Sequence, residues 1–78
     1  MITEKHAYCM WSPYMGLTWE IEARRSQCIA HALWNWGMVE GDEPLERVRL
    51  TEEEKAAWKT WRAEGYKVVR VVIKEQQG

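Results

Sequence analysis

Two pairs of side chains in this sequence have the makings of a metal site: His6-x-x-Cys9 and Cys28-x-x-His31. Imidazole nitrogen and thiolate sulfur are donors that zinc favours, and structural sites take them in closely spaced pairs. A 78-residue chain would also gain from such a staple. Three features oppose it. A strand places residues i and i+3 on opposite faces, so His6 and Cys9 would need a knuckle turn, and no Gly or Pro lies between them. Cys28 belongs to an apolar helical stripe, where a thiol acts as a small buried hydrophobe. The order of the four ligands is not that of a common zinc fold. The adopted reading is therefore no metal and no cofactor; a small zinc-stapled domain holding His6, Cys9, Cys28 and His31 is the alternative.

Covalent catalysis has less to stand on. No P-loop, no GxGxxG and no Gly-rich nucleophile elbow occurs. Glu52, Glu53 and Glu54 are accounted for by helix capping rather than acid–base work. No set of nucleophile, base and oxyanion donors can be assembled, so the chain is read as a non-enzyme.

Binding chemistry is better represented. Arg24 and Arg25 adjoin one another, Arg70 lies in the last apolar run, and Trp and Tyr can stack on bases, so a nucleic-acid binder is one alternative. The basic residues are, however, interleaved with twelve acids, which describes a solvated mixed-charge surface better than a nucleic-acid groove. Protein binding is the favoured reading. At about 100° per residue, Trp34 falls about 170° from the centre of its helix's apolar stripe. It is then exposed unless the following loop or a partner covers it, and exposed Trp is enriched at interface hot spots. Tyr14, Met15 and Met38 extend the same kind of adaptable surface.

The elements that must carry these residues follow from periodicity. Residues 1–5 form a polar lead-in. His6–Trp11 reads as a strand, and Ser12-Pro13-Tyr14-Met15-Gly16 as a turn. Leu17–Ala23 alternates strictly: Leu17, Trp19, Ile21 and Ala23 form a dry face, Thr18, Glu20 and Glu22 a wet one. The two strands make a hairpin. A helix starts near Arg24, because an earlier start would set Arg25 within a stripe of Ile21, Cys28, Ile29, Ala32 and Trp36; from Ser26 its apolar positions are Cys28, Ile29, Ala32, Leu33 and Trp36. Gly37 closes it as C′. Residues 38–50 form a long connection in which Pro44 could open one helical turn through Arg47, with Val48 and Leu50 tucked against the core. Thr51 with Glu54 is a capping box; Ala57, Trp58 and Trp61 are the apolar face of the second helix, and Gly65 ends it. Tyr66–Lys74 is β-branched on both faces, interrupted by Arg70.

The expected fold is α+β, in the order β-β-α-α-β, with a three-stranded antiparallel sheet and two helices packed on one face. The last strand adds beside the first, giving strand order 2-1-3 and one domain over residues 1–78. In that order Tyr66–Lys74 lies at an edge, and either Val69, Val71 and Ile73 or Tyr66, Val68 and Val72 need a second cover. A homodimer through this strand is expected on that ground.

Composition narrows the class. Net charge is −1, which argues against a dedicated basic arm or an acidic DNA mimic. Six Trp, three Tyr and no Phe in 78 residues is a heavy aromatic load, too large for a chain of this size to bury all of it. No run is long and apolar enough to span a membrane, and Glu4, Lys5, His6 and Glu20 break any signal-peptide core, so a cytoplasmic protein is expected. Two cysteines suit a reducing compartment.

The hairpin, the Arg24-Arg25 helix start, Trp58 and Trp61 on a second helix, and the closing Gly65-Tyr66-Lys67-Val68-Val69-Arg70-Val71 together resemble a group of short, uncharacterised phage and prophage accessory proteins. The likeness covers most of the chain and rests on generic structural positions. Such proteins are similar in size to phage-encoded inhibitors of host systems, anti-CRISPR proteins among them. The resemblance implies a role, binding and modulating a host protein, and no site residue.

Overall fold

The computed structural model describes residues 2–44 and 49–76. It contains β1 (Ile2–Ser12), β2 (Gly16–Glu22), α1 (Arg25–Asn35), α2 (Glu52–Glu64) and β3 (Lys67–Gln76). The three strands form an antiparallel sheet in the order β2-β1-β3. This is the expected α+β fold, with the last strand at an edge beside the first.

The helix ends follow from their capping residues. Thr51 is extended at φ −72°, ψ 167°; its Oγ1 accepts from Glu54 N at 3.1 Å, and Glu54 Oε1 accepts from Thr51 N at 2.7 Å. The reciprocal pair satisfies two amides that the helix itself leaves open. Gly65 ends α2 at φ 108°, a left-handed conformation that glycine adopts without strain. At the end of α1, Met38 N donates to Leu33 O at 2.8 Å across Gly37, which has φ 73°.

The core lies between the sheet and the helices. α1 contributes Cys28, Ile29, Ala32 and Leu33, all fully buried; α2 contributes Trp58 and Trp61; Met10 and Tyr66 come from the sheet side. Leu50 packs against this cluster from the connection. Trp61 stacks on Tyr66 with ring centroids 4.2 Å apart, and Trp36 meets Trp61 edge-on at 6.5 Å. Pairs of this geometry add to simple area burial. The expected helical turn from Pro44 through Arg47, and Val48, fall outside the described residues.

Two expectations about the strands are corrected. The polar lead-in is strand: β1 begins at Ile2, because residues 2–6 pair with residues 72–76 of β3. The alternation of Ile2, Thr3, Glu4, Lys5 and His6 carries no apolar stripe; backbone pairing with the last strand holds them extended. The second correction is larger. β2 faces the opposite way from that expected: Thr18 and Glu20 are buried, whereas Leu17, Trp19 and Ile21 are 59%, 88% and 48% exposed. Ala23, the fourth residue of the expected dry face, lies beyond β2 and is exposed.

The register gives the reason. Directly paired residues share a sheet face, and Ile21 pairs with Cys9 while Leu17 pairs with Trp11. On β1, Met10 is committed to the helices, so its neighbours Cys9 and Trp11 point away from them. A register shift of β2 between these pairs sets Thr18, Trp19 and Glu20 against Met10 without changing parity. The same logic settles β3. Val68 pairs with Met10 and packs toward the helices with Tyr66, whereas Val69 pairs with Cys9 and Val71 with Ala7 on the opposite face.

Candidate protein-binding surface

An apolar sheet face with no helix over it is the dominant surface feature. Leu17, Trp19 and Ile21 on β2 and Val69, Val71 and Ile73 on β3 flank Ala7 and Cys9 on the central strand. Trp19 stands almost fully in solvent, and Ile73 is also exposed. Ala7 and Cys9 are buried because larger neighbours on both sides close over these small side chains. Lys67 sits at one end, its Nζ 4.7 Å from the centroid of the Trp11 ring, a cation–π contact.

The polar side of β2 holds the other face in place. Glu20 Oε1 accepts from Trp36 Nε1 at 2.8 Å and from Asn35 Nδ2 at 3.2 Å, so one buried carboxylate ties down the end of α1. Cys28 Sγ donates to the Glu20 carbonyl at 3.3 Å, and Cys9 Sγ to the Thr18 carbonyl at 3.3 Å. Burial pushes the Glu20 carboxyl up, but hydrogen bonds from Thr18, Asn35 and Trp36 outweigh it and leave its pKa below the ordinary value. Among the described residues, Glu20 Oε2 is the one buried side-chain polar atom with no partner. The Cys28 thiol is pushed up to about 12, first by burial and then by Cys9, Glu20 and Glu22; burial raises Cys9 as well.

The expected partner residues are distributed differently. Trp34 is half-buried: its Nε1 donates to Gly41 O at 2.9 Å, and its ring lies 6.0 Å from that of His31. The loop after α1 folds back over the indole, which explains why its position opposite the stripe does not leave it bare. Its outer side lines an open cleft of about 350 Å³ with Glu40, Asp42, Glu43 and Glu53. Tyr14, at 76%, and Met15 and Met38 are exposed as expected. Trp36, expected within the buried stripe, is the C-cap residue just past α1 and is exposed.

The four candidate zinc ligands do not converge. His6 pairs with Val72 on the helix side of the sheet, and Cys9 points to the open side. His31 Nδ1 is 2.7 Å from Glu22 Oε1 and its Nε2 is 3.2 Å from Glu43 Oε1, so both ring nitrogens are engaged by carboxylates. Among the described residues no group of three His, Cys, Asp or Glu side chains is placed to hold a metal ion. Nor do the arginines form one patch. Arg25 lies over the Trp58 ring at 5.9 Å. Arg70 pairs with Tyr8, and Tyr8 with Glu22, so an acid stands in the same cross-strand row, on the strand that leads to Arg24.

Leu17, Trp19 and Ile21 were legible as a strand face; the direction of that face was not. The signal lay in β1, where His6, Tyr8, Met10 and Ser12 supply one face and Ala7, Cys9 and Trp11 the other, both able to serve as core. No family model, curated protein or solved structure matches the chain.

Proposed function

We propose that this chain is a small, non-enzymatic protein-binding module, an accessory protein of the phage type that works in the cytoplasm by binding and modulating a host protein. The observation that carries the reading is the uncovered apolar face of the sheet, with Trp19 at its most exposed point. Monomeric soluble proteins seldom leave a contiguous apolar patch of more than a few hundred Å² open, and larger ones mark interaction sites. Met15 in the β1–β2 turn is exposed two residues before Leu17 and lengthens the surface, whereas the Tyr14 ring leans edge-on toward Tyr66, 6.2 Å away, on the helix side. Two buried free cysteines suit a reducing compartment. Among the described residues no helix is long and apolar enough to cross a membrane. An inhibitory role of the anti-CRISPR kind is one form this activity would take.

Affinity capture from a bacterial lysate tests the proposal. The native chain and Trp19→Glu are compared, with Lys59→Ala on the exposed side of α2 as a control. Specific proteins retained by the native chain and the control but lost from Trp19→Glu are the expected result. Identical capture by all three would remove the sheet face from the function.

A further inference from the structure

We infer that, until a host protein displaces it, the occupant of the open sheet face is a second copy of this chain, packed face to face across a two-fold axis; this rests on reading that face as a protein-binding surface. The first ground is area. The exposed parts of Leu17, Trp19, Ile21, Ile73 and the half-covered Val69 and Val71 leave on the order of 500 Å² of apolar surface open. A stable interface buries about 800 Å² per partner, so the patch alone supplies more than half of one.

The second ground is what the face lacks. Between the Trp11–Lys67 and Lys5–Ile73 pairs its positions hold no acidic residue, and its two cations stand at the ends of that stretch. Lys67 lies over Trp11, and Lys5 is engaged as well. An acidic peptide or an anionic lipid surface would therefore find cations only at the margin of the patch. An apolar partner without complementary charge is what fits, and an identical face meets that requirement. Such isologous contacts are self-complementary, each residue meeting its reciprocal.

The third ground is layering. The molecule is thin, 44 × 26 × 16 Å, with one helical layer and a sheet covered on one side. Two such sheets stacked about 10 Å apart would bury Trp19 from both copies in one core and give four layers, α/β/β/α. Pairing of β3 edges would instead leave Leu17, Trp19 and Ile21, on the far strand, in water.

Sedimentation equilibrium across low to high micromolar concentration decides it. The native chain is expected at twice its 9.3 kDa mass. Trp19→Glu is expected to weaken dimerisation at least a hundredfold while circular dichroism stays native; if that variant fails to fold, Ile21→Lys is read in its place. A native chain that is monomeric throughout overturns the second copy, yet leaves the lysate comparison free to decide whether the face binds another protein. A dimer that persists at native affinity in the folded variants also overturns it and returns the contact to the β3 edge. Binding of the native monomer to phosphatidylglycerol vesicles would overturn it in favour of a lipid surface.

Discussion

Glu20 shows how much one side chain can carry. It stands in a strictly alternating segment at a position that reads as solvent-facing, and it is buried with two side-chain donors on one oxygen. Hydrogen bonds to a charged acceptor are worth about 1.5–3 kcal/mol each, enough to keep a carboxylate inside. Its folded pKa is held below the unfolded value of 4.5, so the ionised form is the stabilising one. That contribution is complete above the unfolded pKa and is lost as pH falls through the lower, folded value. Native stability should therefore decline on acidification below about pH 4.5, and Glu20→Gln should flatten that decline, as read from urea midpoints over pH 3 to 7. An equal acid slope in both proteins would remove Glu20 from the account. Cys28 gives a second residue-scale test. A buried thiol whose pKa is pushed up to about 12 holds almost no thiolate at pH 8. Native protein should react with a thiol-specific disulfide reagent no faster than it opens, with full reaction in denaturant; immediate reaction of both thiols in the native state would contradict the burial.

Elements were legible where local chemistry decides them. The Thr51–Glu54 box and Gly65 delimit α2 and Gly37 closes α1, because caps act within one turn. Thr51→Ala should lower stability by ~1 kcal/mol in chemical denaturation, as an N-cap loss does. An unchanged midpoint would show that the helix end is held by packing alone. What local chemistry does not encode is which way a strand faces. Leu17, Trp19 and Ile21 make a good dry face in isolation, and the outcome is set by Met10 on a different strand through the Cys9–Ile21 and Trp11–Leu17 pairs. A change of one residue in phase exchanges every side chain between faces, so correct periodicity with incorrect orientation is the characteristic failure. The early start of β1 has a similar origin: residues 2–6 are strand because β3 lies alongside, a partner about 70 positions away in the chain. Trp34 was readable as lying off the stripe, but its cover comes from a loop whose path has no periodicity.

At the scale of the molecule, the consequence is a two-layer protein whose sheet is covered by helices on one side and turns an apolar face to solvent on the other. Six tryptophans serve this arrangement unequally: Trp58 and Trp61 fill the core, Trp34 and Trp36 are held at its margin by hydrogen bonds, Trp11 carries a lysine, and Trp19 stands free. A large aromatic in that position is costly to leave in water unless something covers it. The binding surface, the second copy and the proposed role all depend on β2 presenting its odd-numbered residues outward. The thermal unfolding of Trp19→Lys and Glu20→Lys, measured side by side, tests this most directly. With Trp19 outside and Glu20 inside, Trp19→Lys retains a cooperative transition and native circular dichroism. Glu20→Lys sets an ammonium against the Trp36 and Asn35 donors in a buried site and loses the folded state. A folded Glu20→Lys beside an unfolded Trp19→Lys would contradict the account at its root.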